Sequence, residues 1–325
     1  MLHRNLLTAM AVAVASLVVA RCSLAVEVTV EKSKSGAVVK IDGQPFAEYL
    51  ADYRGKAAGS TPIVWPIVGP TGKHMTLNFS EPEGPTKLLR DKHVHHRSLW
   101  FNHGDVNGLS FWDKADIKHL EFVKLQSGPK GVIVARDAWV DKDGKVQCTD
   151  QRQLTFGVDG EARYLDFDVT VKASNGPVTF GETKEGSFGV RVPATMAVDA
   201  KKSDPSVGGH IINSEGQENA EAWGKPARWV DYYGPVEGET LGIAILNHPA
   251  SFRFPTTWHV RTYGLFAANP FGGRDFDKSA SESGAYTIPD GQSISFHYRV
   301  LFHKGDEKEA KIAEAYARYA KEKKD

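Results

Sequence analysis

"YLDFDVTV", residues 164–171, sets Leu165, Phe167, Val169 and Val171 in alternation with Asp166, Asp168 and Thr170. A period of two sends successive side chains to opposite faces, so one face suits a core and the other polar surroundings. The pattern returns in "ISFHYRVLF", residues 294–302, where Ile294, Phe296, Tyr298, Val300 and Phe302 share a face. Further strands are expected at 27–33, 36–41, 132–140, 145–156, 241–247 and 258–266. Turn pairs such as Asp42-Gly43, Asp143-Gly144 and Asp159-Gly160, and the triplet Pro289-Asp290-Gly291, punctuate the chain. There is no internal repeat, no nucleotide-binding glycine pattern and no alternation of strands with long helices. The spacing predicts an all-β fold, a large antiparallel β-sandwich.

One helix is expected, over 306–323, where Ile312, Tyr316 and Tyr319 recur at helical spacing. Acids open that stretch and lysines close it, which suits the helix dipole. The polar segment 201–238, rich in Gly, Ser, Asn and Glu, reads as an elaborate loop carrying Trp223 and Trp229.

The ends and the charge balance bound the function. Residues 1–25 read as a secretory leader: His3 and Arg4, an apolar run from Leu6 to Ala20, then Ser23-Leu24-Ala25 before the cut. Arg21 stands where a lipidation motif wants a small residue, which disfavours a lipoprotein anchored at Cys22. Residues 26–325 then form one domain, exported to the periplasm or beyond, with Cys148 as the remaining cysteine and no membrane span after the leader. Lys and Arg together number 40, as do Asp and Glu, so no net field draws in nucleic acid.

The chemistry concentrates in "DKHVHHRSLWFNHGDVNGLSFW", residues 91–112, which holds four of the twelve histidines. His93 and His95, two apart, share a face if the stretch is a strand, a common way to chelate a metal. His103 and Asp105 are the first half of a two-histidine, one-carboxylate site, which a remote His248, His259 or His297 could complete. Against that, Ser98, Leu99 and Trp100 stand where a cupin carries its glutamate, and no HExxH occurs. The same stretch also supplies what a sugar needs. Trp100 and Trp112 offer flat faces for pyranose CH groups, and Arg97, Asn102, Asp105 and Asn107 offer planar polar groups for hydroxyls. Imidazole titrates near neutrality and suits proton transfer to a ring or glycosidic oxygen.

Two further segments add polar groups. "FGETKEGSFGVRV", residues 180–192, carries Glu182, Lys184, Glu185 and Arg191, with Glu185 the candidate base if it faces an imidazole. "WHVRTYGLFAANPFGG", residues 258–273, carries His259, Arg261 and Tyr263 in alternation, hence on one strand face.

These segments, "HHRSLWFNHGDVNGLSFW", "ETKEGSFGVRV" and "RTYGLFAANPFG", resemble an exported bacterial family of unknown function labelled "methane oxygenase PmoA"-like, across nearly the whole mature chain. At fold level the layout is similar to the galactose-mutarotase-like supersandwich, whose concave sheet binds sugars in epimerases, lyases and glycosidases. That resemblance implies a carbohydrate ligand, and the residue roles are assigned here from local chemistry.

The expectation is therefore an exported supersandwich that binds a mono- or oligosaccharide and acts on it as an epimerase, lyase or glycoside-cleaving enzyme. His95, His96, His103, Glu185 and His259 are the candidate catalytic residues. Arg97, Trp100, Asp105, Asn107, Trp112, Arg261 and Tyr263 are the candidate binding residues. This reading requires no cofactor. One alternative is a metal-dependent hydrolase, lyase or oxygenase holding Zn, Fe, Ni or Cu through His93, His95, His103 and Asp105. Another is a sugar-binding module without catalysis.

Overall fold

Leu165, Phe167, Val169 and Val171 are at most 1% exposed, and each faces the layer between two large sheets. The computed structural model describes residues 26–54, 59–78, 93–199 and 207–324, so the expected leader lies outside the described residues. One eight-stranded sheet runs in the order Val28–Lys32, Gly36–Ile41, Gln44–Leu50, Ile63–Ile67, Leu99–Phe101, Phe188–Arg191, Leu265–Ala268, Trp258–Val260. The other runs His210–Asn213, Trp229–Val236, Glu239–Asn247, Ser293–Lys304, Ala162–Lys172, Val146–Asp159, Gly131–Val140, Asp116–Gln126. Val178–Phe180 and Tyr286–Ile288 form a small third ladder. Neighbouring strands are antiparallel, and one core draws Phe46, Phe101 and Phe266 from the first sheet and Leu154, Phe167 and Phe296 from the second. This is the expected antiparallel sandwich, its inner faces zipped by alternate side chains.

Three expectations need correction. The strand read at 258–266 is a hairpin of two strands, Trp258–Val260 and Leu265–Ala268. Arg261 N–H bonds Leu265 O, Gly264 N–H bonds Arg261 O, and Gly264 takes φ +100, a value an L side chain adopts only under strain. Arg261 and Tyr263 therefore lie in the turn and not beside His259 on a strand. The segment 201–238 is not all loop either, since Trp229–Val236 pairs with Glu239–Asn247 inside the second sheet.

The C-terminal helix spans Ile312–Tyr319, shorter than expected because residues 306–311 are turns ending in Lys311 at φ 54. Its Ile312, Ala315, Tyr316 and Tyr319 pack on Tyr164, Trp229, Leu246 and Leu301, on the second sheet's outer side. The helix thereby covers Asp166, which the alternation alone directs to polar surroundings. Asp166 is 4% exposed and is gripped by Arg299 through bonds of 2.6 and 2.8 Å.

Candidate functional site

The outer side of the first sheet carries a row of direct cross-strand partners: Ile63, Trp100, Gly189, Ala267 and His259. Directly opposed residues on antiparallel strands share a face, so this row alternates bulk with near absence of side chain. Trp100 and His259 stand three inter-strand spacings apart, roughly 14 Å. Between them Gly189 and Ala267 make a low floor. Gly189 is required there, because a Cβ would lie 2.6 Å from Trp100 Cζ2.

The histidines gather over Trp100 by a turn and not by strand alternation. His96 N–H donates to His93 O at 2.8 Å, and the strand begins only at Leu99. The rings then stack in sequence. Tyr263 lies on His93 (5.4 Å, 12°), His93 on His96 (4.7 Å, 9°), and His96 on Trp100 (5.9 Å, 19°). His95 stands edge-on to both His93 and His96, and Trp112 closes the side. One ring nitrogen from each of His93, His95 and His96 lies within 4.8 Å of the other two. Burial pushes the His96 imidazole well below its ordinary pKa, with Arg191 and the neighbouring imidazoles adding to it. Burial also lowers His95, against the opposing pull of Asp113. The His95 and His96 imidazoles are therefore neutral near pH 7, the form in which imidazole ligates a metal.

Across the floor, His259 is almost buried, and Trp223 Nε1–H donates to its Nδ1 at 3.0 Å. The proton must then sit on Nε2, which has no hydrogen-bond partner among the described residues. Burial, with Arg261 and Lys184 adding, pushes this imidazole down to about 3. His259 is thus a neutral donor and not a stored proton. The Arg261 guanidinium lies 5.7 Å from the Trp223 ring and 5.5 Å from the Tyr263 ring. A cavity of about 220 Å³ adjoins Trp223 and Arg261. Glu185, one-third exposed, accepts from Thr183 Oγ1 at Oε2 (2.6 Å), and its Oε1 lies 3.9 Å from Lys184 Nζ. Its charge acts on both His95 and Tyr263.

Not every expected residue joins this face. His103 is fully buried beside Phe180 and Phe271; its Nε2–H donates to Gly181 O (2.8 Å) and its Nδ1 accepts from Ser187 (3.1 Å). With both nitrogens engaged it has no lone pair for a metal and no route to a ligand. Asp105 caps a tight turn by accepting from Gly108 N–H, and Asn107 bonds Gln147 and Thr179 N–H. Both brace a loop elsewhere. The alternative metal set therefore loses His103 and Asp105 and gains His96. Arg97 is buried with Nη1 donating to Gly59 O, so it presents no guanidinium face to a ligand, though its charge is felt at His95. Trp100 is sealed between Gly189 and His96, and Trp112 is 5% exposed, so neither indole offers a free face to a sugar.

Residues outside the expected catalytic and binding sets complete the site. Trp223 comes from the irregular segment, Phe276 stacks on His259 (6.2 Å, 21°), and buried Arg191 donates to Tyr263 O. Their partners lie far off in sequence; Arg191 stood out within a charged stretch and Trp223 within an irregular one, while Phe276 carried no local signal. A wider cleft of about 620 Å³, lined by Arg54, Lys114, Asp116 and Asp141, holds none of the candidate residues.

No curated protein matches the chain in sequence. Among solved structures the chain is similar to an α-galactosidase from Lactobacillus brevis (8% identity, TM-score 0.43, 91% of this chain and 43% of that one). It is similar also to the GH36 α-galactosidase AgaA from Geobacillus stearothermophilus (9%, 0.41, 86% and 40%). A third is a galactose mutarotase related enzyme from Lactobacillus acidophilus (11%, 0.32, 85% and 97%). The chain spans less than half the length of the two galactosidases. Residues 36–317 match one family model, whose description carries no oxygenase activity, and the chain belongs to that family, the family of unknown function DUF6807.

Proposed function

We infer that the outer face of the first sheet, in a protein exported from the cell, binds a sugar and acts on it by proton transfer. The observation that carries this reading is His259, whose buried ring is locked as the Nε2–H tautomer across a glycine–alanine floor from the histidine stack. A neutral imidazole N–H in a site of low dielectric stabilises an oxygen that gains negative charge without having to lose its own proton. Glu185, whose Oε1 lies 3.9 Å from Lys184 Nζ, is the base that takes a proton from the sugar. Arg261, flanked by Trp223 and Tyr263, holds hydroxyls or a sugar carboxylate. The acid role that imidazole chemistry suggested for the histidines gives way here to hydrogen-bond donation, because His95, His96 and His259 are all held below their ordinary pKa.

Calorimetric titration of a panel of mono- and oligosaccharides, with turnover followed by NMR, tests this. Glu185→Gln is expected to lower kcat by about 10²–10⁴-fold with little change in affinity. Affinity lost without any turnover in the parent would make the face a binding module. Binding by no sugar, or binding indifferent to His259→Ala and Arg261→Ala, would overturn the assignment of this face.

A further inference from the structure

The three-histidine turn has a chemistry of its own. His93, His95 and His96 lie within four residues, yet the turn closed by His96 N–H on His93 O brings one nitrogen of each ring to within 4.8 Å of the others. A tetrahedral zinc with nitrogen ligands at about 2.0–2.1 Å holds those nitrogens roughly 3.3 Å apart. Side-chain rotation must close that gap. His96 is anchored in the protein, while His93 and His95 are half-buried at the mouth, so the group is reachable yet backed by a rigid floor. Trp100, Trp112 and Tyr263 wall it with apolar surface, which excludes competing water and strengthens ligation. No cysteine takes part, and an all-imidazole set favours zinc, iron, nickel or copper over magnesium or calcium.

We propose that His93, His95 and His96 form a three-nitrogen site for a divalent transition-metal ion, with its remaining coordination positions on the side of Glu185 and His259. The proposal does not depend on the sugar reading. It has a structural corollary. His93 and His96 are parallel in the stack, and parallel rings cannot both aim a lone pair at one ion. Loading must therefore turn His93 off Tyr263 and His96, a change that the indoles of Trp100 and Trp112 will report.

The test uses the untagged full chain, dialysed, then titrated with Zn²⁺ and separately with Co²⁺ as a visible-absorption probe. The expected result is one equivalent bound, tetrahedral or five-coordinate Co²⁺ bands, and a change in tryptophan fluorescence that saturates at the same ratio. His95→Gln and His93→Gln, both at half-buried positions, are each expected to weaken binding at least about 10-fold. His103→Gln is expected to leave binding intact. Saturable binding that survives both His93→Gln and His95→Gln, binding lost in His103→Gln alone, or no saturable binding of either ion would each overturn the proposal. Circular dichroism of every variant separates loss of ligand from loss of fold. A metal site with no sugar affinity would stand by itself, and a sugar site without metal would leave only the proposed function.

Discussion

Trp223 Nε1 donates to His259 Nδ1 across 3.0 Å, with the two rings 6.2 Å apart and inclined at 66°. A residue from an irregular segment thus fixes the tautomer of a residue on an edge strand of the first sheet. Trp223→Phe keeps an aromatic ring beside Arg261 but removes the donor. Imidazole ¹⁵N spectra are expected to show His259 wholly as the Nε2–H form in the parent and as a mixture in the variant. Turnover on any sugar found should fall about 10-fold or more, in kcat rather than KM. An unchanged tautomer would remove Trp223 from the positioning role.

The floor makes a second demand. A methyl at Gly189 would meet the Trp100 indole at 2.6 Å, and that indole is fully buried under His96. Gly189→Ala is expected to cost about 1–3 kcal/mol in urea unfolding, as overpacked positions do. It should also shift the histidine stack. Gly43 meets nothing within 4 Å but holds φ +75, so Gly43→Ala makes a control for backbone strain alone. A Gly189→Ala protein as stable as the parent would mean that the indole moves freely, and the site would lose its rigid base.

How much of this was legible in the sequence follows from the range of the interactions. Period-two alternation found the strands around Phe167 and Phe296 because the signal lies within a few residues. It overran the turn after Val260, since His259, Arg261 and Tyr263 keep alternating on paper while Gly264 reverses the chain. The histidine cluster was visible as a density of imidazoles. Which three converge was not, because a local turn decides it and strand parity does not. His103 is bonded by Ser187 and Gly181, about eighty residues onward, and no local pattern could assign those partners.

Stability against pH should show opposing limbs from two buried histidines. Burial pushes His103 down to about 4, so its contribution is complete above the unfolded value near 6.5 and is lost as pH falls toward 4. The slope from this one group is about 1.4 kcal/mol per pH unit. His303 works the other way. Its Nε2 faces Asp231 (3.0 Å) and its Nδ1 faces Lys304 O (3.2 Å), and although burial opposes it, Asp231 holds the imidazolium above the ordinary value. That contribution is complete below pH 6.5 and fades as pH rises through the folded value. Urea midpoints across pH 4 to 9 should lose acid-side slope in His103→Gln and alkaline-side slope in His303→Gln. Parallel curves for parent and variants would contradict both assignments.

The C-terminal helix owes its attachment to a buried ion pair as much as to apolar contact. The Arg299 guanidinium sits 4.5 Å from the ring centroids of both Tyr164 and Tyr319 while binding Asp166 through two hydrogen bonds. Removing the cation alone leaves a buried carboxylate without its partner, so Arg299→Met is expected to destabilise by about 3–5 kcal/mol. Replacing both partners leaves no buried carboxylate stranded, since Glu322, which Arg299 also binds at 2.9 Å, is partly exposed to water. The double variant Asp166→Asn with Arg299→Met should therefore recover much of that loss, even though it carries one more substitution. Tyr319→Ala opens the aromatic clamp but keeps the pair, and should release the helix to proteolysis before global unfolding. If the double variant proves no more stable than Arg299→Met, the cost lies in lost packing around the guanidinium, and the helix is held by the tyrosines rather than by the charge they enclose.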